Sequence, residues 1–167
     1  MASLTLNINN IDEWLQKVCG FDRPKFDTIR KFVHSINPDI RVRISYDEFY
    51  AECRNNLINV SLKRDEIEDK IFDDFIKYKF GISVNPFLIG ILHEVAHIMT
   101  FDEDLDHDRD ILYYMLQLNF DEDRWEEYTL MYFQIPAEFE ATRWAVNYYL
   151  SHKDYCDNFL KEIGYEA

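Results

Sequence analysis

Apolar and polar positions along this chain follow a helical period, then a short alternating stretch, then a helical period again. Residues 11–19 read as a short helix, with Asn9 or Asn10 as cap and Gly20 as stop. A second helix is predicted from Arg23 to Ile36, since Asp22 can cap it, Pro24 sits in its first turn and Pro38 ends it. The period then drops to two. In Ile40-Arg41-Val42-Arg43-Ile44 apolar and basic residues alternate, residues 49–53 form a weaker run, and the alternation returns in Ile58-Asn59-Val60-Ser61-Leu62. With Asn55-Asn56 as a turn, these runs predict a small antiparallel meander.

From residue 63 to 80 the helical period resumes, with Ile67, Ile71, Phe72, Phe75 and Ile76 on one stripe. Asn85-Pro86 opens the most apolar helix of the chain, residues 87–99, hydrophobic around most of its circumference and therefore central and buried. Further helices are predicted at about 108–118, 122–133, 136–151 and 154–163. The pattern is α+β: a small antiparallel three-stranded sheet packed by six to eight helices around the apolar one. At 167 residues the chain is long enough for one core, so residues 1–167 are read as a single domain.

Composition narrows the function. Eighteen basic against thirty-two acidic residues give a net charge of −14, which argues against a nucleic-acid partner bound through its phosphates. The imbalance lies in the second half: residues 1–80 carry 13 basic and 14 acidic side chains, and residues 81–167 carry 5 and 18. A basic or neutral partner, or a cation, is expected there. No run approaches the roughly 20 apolar residues that cross a bilayer. The first residues lack the basic and apolar regions of a secretion signal. Cys19, Cys53 and Cys156 are an odd number at unrelated spacings, suited to free thiols in a reducing cytoplasm. The expected location is cytoplasmic, with no membrane partner.

The apolar helix contains His93-Glu94-Val95-Ala96-His97, an HExxH. Histidines at i and i+4 lie about 40° apart on a helix, so both imidazoles can point at one ion, zinc being the usual one. Glu94 is displaced from that face. It can instead hydrogen-bond a water on the ion, the place of a general base. Two histidines and a glutamate in so apolar a run are expensive to bury without a partner. The third ligand is sought downstream, in Pro136-Ala137-Glu138-Phe139-Glu140-Ala141-Thr142-Arg143-Trp144-Ala145. Glu138 and Glu140 lie about 200° apart on a helix, so only one can face the ion. Glu138 shares its face with Ala141, Thr142 and Ala145, small enough for close helix approach, whereas Glu140 has a surface partner in Arg143. The face criterion favours Glu138, with Glu140 and His107 as alternatives. Thr100 and Glu103 stand where a metzincin would have Gly and His, which excludes that class.

Asp102 to Asp110 holds six acids in nine residues. It lacks the Gly and Glu of an EF-hand, so it reads as a solvated loop and helix start, able to attract a basic segment. Asp121-Glu122-Asp123 reads as capping, and His34 as structural.

The HExxH followed by Glu138, Glu140, Ala141, Trp144 and Ala145 resembles the E-x-E-A-(D/N)-x-F-A motif of the gluzincin metallopeptidases, particularly the small cytosolic ImmA/IrrE type. The resemblance spans roughly residues 40–150. It implies a zincin-like fold, zinc held by His93, His97 and Glu138, and Glu94 as the catalytic base. It also implies a protein or peptide substrate such as a transcriptional regulator. Thr142 replaces the family's Asp or Asn, which orients a zinc-bound histidine. The His97–Glu138 separation is also longer than in that family. Tyr148, Tyr149, His152 and Arg143 are candidate oxyanion donors, and the substrate is expected to add to an edge strand at residues 57–62. The alternative is a zincin-fold protein-binding module of little or no activity.

Overall fold

The computed structural model describes residues 22–165, together with Glu13 and Lys17. The helix expected over 11–19, with Cys19, lies outside the described residues apart from those two.

The first described helix, α1 (Arg23–Ile36), is capped by Asp22, which accepts from the Lys25 N–H at 3.1 Å, and it buries Phe26, Ile29, Phe32 and Val33. Three strands follow: β1 (Arg41–Ser45), β2 (Tyr50–Glu52) and β3 (Leu57–Ser61). A short 3-10 turn, Cys53–Asn55, joins β2 to β3, closed by Asn56 in the left-handed region at φ 47°. Asn tolerates that conformation better than most residues.

The sheet corrects the expected antiparallel meander. Its order is β1-β3-β2; β3 runs parallel to β1 and antiparallel to β2, so the sheet is mixed. All five residues of β3 are buried, and it takes the centre, while β1 leaves Arg41 and Arg43 exposed at an edge. Asn59, fully buried, holds the crossover: Ser45 Oγ donates to its Oδ1 at 2.9 Å and its Nδ2 donates to the Glu48 carbonyl at 2.7 Å. The polar positions of the last alternating run are therefore buried and bonded within the fold, Asn59 to Ser45 and Glu48 and Ser61 to Lys63, rather than forming a solvent face. Nor can 57–62 receive an added strand, because β3 is paired on both sides.

Next comes α2 (Glu66–Phe80), capped by Asp65 and stopped by Gly81 at φ 72°; Phe75 and Ile76 are buried, but Ile67 is exposed rather than on the apolar stripe. The most buried helix is α3 (Pro86–Met99), with Asn85 as cap and Pro86 at its first position, an arrangement that suits Pro's fixed φ. Then α4 (Glu103–Leu118) starts earlier than expected, because Asp102 caps it by accepting from Asp104 N at 3.0 Å and Leu105 N at 3.1 Å. The acidic run is thus the start of a helix, favoured there by the helix dipole. Asp121 caps a 3-10 turn that leads into α5 (Trp125–Phe133), and α6 (Pro136–Ser151) and α7 (Lys153–Ile163) complete the chain. The result is α+β and mostly helical, with seven helices in the described part.

One contact positions everything that follows: α3 packs most extensively on α6. Ala137, Ala141, Thr142 and Ala145 are buried, the last three completely, so the two backbones approach without bulky side chains between them. Among the described residues, no helix is long and apolar enough to cross a membrane. Cys53 and Cys156 are free thiols.

Candidate metal centre

On the inner face of α3, His93 and His97 stand one turn apart, each less than a tenth exposed. Across the narrow α3–α6 gap, Glu138 in the first turn of α6 is 1% exposed. Their ligand atoms form a small triangle. His93 Nε2 is 2.9 Å from Glu138 Oε2, His97 Nε2 is 3.2 Å from the same oxygen, and the two Nε2 atoms are 3.1 Å apart. Ligands about 2.0 Å from a tetrahedral zinc are about 3.3 Å apart, so the triangle is close to one face of such a coordination shell.

The hydrogen-bond pattern fixes what those atoms can offer. Thr142 Oγ1 donates to the Glu138 carbonyl at 3.0 Å and lies 3.2 Å from His93 Nδ1. With its own proton spent, the hydroxyl can accept from Nδ1–H, and in that tautomer the His93 Nε2 lone pair is aimed into the triangle. An acceptor nitrogen, a second imidazole nitrogen and a carboxylate oxygen at about 3 Å repel one another unless a proton or cation lies among them. His93, His97 and Glu138 could thus hold a metal ion, and they are the one such group of three found among the described residues.

Charges around the triangle agree. Burial works to raise the Glu138 carboxyl, but hydrogen bonds from His93 and His97 outweigh it and hold the group far below the carboxylate range. Burial works against a charged His97, yet the hydrogen bond and charge of Glu138 prevail and raise it. Glu138 Oε1, turned from the imidazoles, lies 3.9 Å from Arg109 Nη1 on α4, which also neighbours Asp106 and Asp110. Phe72 meets the His93 ring edge-on, at 5.8 Å between centroids.

Glu94 occupies the neighbouring face. It is 8% exposed, and no protein group hydrogen-bonds its carboxylate among the described residues. Burial raises its pKa, with His93 and His97 opposing. With His93 and Glu138 it lines a cleft of about 720 Å³, between the sheet and α2 on one side and α4–α5 on the other. At Gly90, one turn before His93, a Cβ would meet the Phe49 ring at 2.9 Å, so a side chain there would have to displace that ring, which forms part of the cleft wall.

The other sequence candidates lie elsewhere. Glu140 pairs with Arg143 on the outer face of α6, and His107 is exposed on α4, outside the triangle. Among the proposed donors, Tyr149 bonds Asp157, His152 bonds the Tyr148 carbonyl, and Tyr148 stacks between Trp144 and His152; none lines the cleft. His34 bonds the Ile40 carbonyl, a structural role. Two neighbours of Glu138 escaped the sequence reading. One is Arg109, hidden in a run of acids. The other is Tyr132, whose phenol is kept neutral by burial and by the Glu138 charge. The signal for Arg109 was its isolation as the lone cation among six acids, whereas Tyr132 had none.

Compared with known families, curated proteins and solved structures, the chain matches no family model, no curated protein and no solved structure.

Proposed function

We propose that this chain is a zinc-dependent peptidase with a zincin-like site, acting on a protein or peptide segment. The observation that carries the reading is the juxtaposition of the His93–His97–Glu138 triangle with a buried, unbonded Glu94 on the wall of one open cleft. Nitrogen, nitrogen and carboxylate donors at this spacing suit zinc, with a fourth position left for water or substrate. Zinc held there supplies Lewis acidity, lowering the pKa of a bound water and polarising a carbonyl. Glu94 would be the residue to accept a proton from the attacking water and pass it to the leaving amine, a role that its raised pKa favours. Thr142 keeps the His93 proton on Nδ1, and Arg109 neutralises the outer oxygen of Glu138. Tyr132, which lines the cleft together with His93, Glu94 and Glu138 and is kept neutral there, replaces the earlier candidates as the donor to a developing oxyanion. With β3 enclosed, the sheet edge next to α3 belongs to β2, where an extended substrate can pair.

A catalytically inactive binding module is the second reading. It is favoured by α4, which buries none of its residues and exposes Ile111, Tyr114, Met115 and Leu118. Glu94→Gln separates the two. Elemental analysis should find stoichiometric zinc in wild type and variant alike, while cleavage of a peptide library falls by about 10²–10⁴-fold in the variant. Undiminished cleavage by the zinc-loaded variant would overturn the peptidase mechanism. Zinc in neither protein would overturn the metal site.

A further inference from the structure

The cleft over the triangle has two chemically different walls. On the α4–α5 side stand Tyr113, Leu116, Phe120 and Tyr128, aromatic or aliphatic, with Tyr113 and Phe120 about half exposed. On the opposite side, the β1–β2 loop and the start of α2 contribute Glu48, Asp65, Glu68 and Asp69. Two of these acids are already engaged. Asp69 pairs with Arg64, and Asp65 accepts two N–H groups as the cap of α2. Glu48 and Glu68 make no ion pair among the described residues. They are close enough to matter to each other: burial raises the Glu68 carboxyl, the charges of Asp65, Glu48 and Asp69 raise it further, and Lys63 on the same wall opposes them without cancelling the shift. Between the walls lie His93 and the buried, unbonded carboxylate of Glu94.

We infer that the cleft selects a peptide segment carrying a Lys or Arg against Glu48 and Glu68 and a bulky apolar side chain against Tyr113, Leu116, Phe120 and Tyr128. The inference rests on the peptidase reading for the direction of the chain across His93 and Glu94, but its recognition half stands on the walls alone. A cation relieves the repulsion of four acids that Arg64 and Lys63 only partly offset, while an apolar side chain removes the aromatic wall from water. The same acids disfavour a nucleic-acid strand or an anionic membrane surface. A second copy of a chain carrying −14 is also a poor occupant. A volume of about 720 Å³ accommodates the side chains of a short extended segment.

The test uses zinc-loaded full-length Glu94→Gln protein, so that binding is read without turnover. Fluorescein-labelled ten-residue peptides with a Lys-Phe or Phe-Lys pair at the centre are titrated by anisotropy, beside controls in which Lys is replaced by Glu or Phe by Gly. The basic–aromatic peptides should bind about tenfold tighter than the Glu controls at low salt, and added salt should narrow the gap. Introducing Glu48→Gln and Glu68→Gln together should reduce that gap to about twofold, and Phe120→Ala should erase the preference over the Gly controls. Binding that is indifferent to the Lys-to-Glu change, or discrimination that survives the double Gln variant, overturns the inference. Cleavage by wild type is scored separately. Discrimination without cleavage would sink the peptidase reading and keep the recognition chemistry, whereas cleavage without discrimination would do the reverse.

Discussion

Thr142→Val probes the metal centre with the least disturbance of its packing. The residue is completely buried, and Val keeps its β-branch and nearly its volume, so only the hydroxyl is lost. The Glu138 carbonyl, which accepts that hydroxyl, lies in the first turn of α6, where the helix ladder supplies it with a backbone partner as well. His93 is affected more. Whenever its Nε2 binds a metal, its proton must sit on Nδ1, which now faces a methyl group instead of an oxygen at 3.2 Å. A buried donor without an acceptor costs about 1–3 kcal/mol. In the metal-free protein the ring escapes this cost by moving its proton to Nε2 and donating to Glu138 Oε2 at 2.9 Å. The penalty therefore falls on the metal-bound state and should weaken zinc binding by about 5- to 150-fold. Competition against a chromophoric chelator measures it, with Thr142→Ser, which keeps the hydroxyl, expected near wild type. If folded Thr142→Val bound zinc within about twofold of wild type, Thr142 would not be what fixes the His93 tautomer.

Three further outcomes follow from the same geometry. Zinc at about 100 times its dissociation constant should stabilise the fold by about 2.7 kcal/mol, raising Tm by roughly 5–11 °C for a chain of this size, and EDTA should reverse it; an unchanged melting curve would contradict the site. Without metal, the lowered Glu138 stabilises above its ordinary 4.5 and loses that contribution as pH falls, while the raised His97 stabilises below its ordinary 6.5 and loses it as pH rises. Urea unfolding of metal-free protein should therefore peak between those values, whereas zinc-loaded protein, whose ligands must be deprotonated, should gain as pH rises above them. A metal-free profile flat from about pH 5.5 to 8 would contradict the His97–Glu138 pairing. Burial pushes the Cys53 thiol up to about 11 and Cys156 to about 12, so neither should be alkylated at about pH 7.5 before unfolding; mass mapping of iodoacetamide adducts checks this.

What the sequence disclosed depended on how far apart the interacting residues lie. His93, Glu94 and His97 are fixed by the pitch of one helix, and Asn85-Pro86 marked its start. The choice of Glu138 over Glu140 also followed from helix geometry, because Ala141, Thr142 and Ala145 advertise a face that must come close to something. Strand order is different in kind. Asn55-Asn56 correctly marked the β2–β3 turn, but no local pattern says that β3 inserts between β1 and β2. Asn59 and Ser61 then misled, because alternation looks the same whether the polar partner is water or a crossover loop. Arg109 was obscured for a similar reason: six acids around one cation read as a solvated surface, and only the fold brings that cation within 3.9 Å of Glu138.

The division of labour between helices bears on how the site could diversify. His97 and Glu138 are 41 residues apart in sequence, yet they meet because α3 and α6 are locked together by buried alanines. The chain between them, α4 and α5, buries little and forms one wall of the cleft. The residues that could hold a metal thus sit on the rigid pair, where a small displacement is costly, and the wall proposed for recognition sits on more exposed helices, where substitution costs less. Arg109 is the exception, since it reaches from α4 to Glu138. It follows that Phe120→Ala and Tyr113→Ala should leave zinc affinity unchanged, while Arg109→Ala should tighten it, because the guanidinium 3.9 Å from Glu138 competes with a cation for that carboxylate and disfavours positive charge at the triangle. Chelator competition on the three variants tests the separation, and equal losses in all three would mean that α4 and α5 are part of the metal scaffold rather than a wall built upon it.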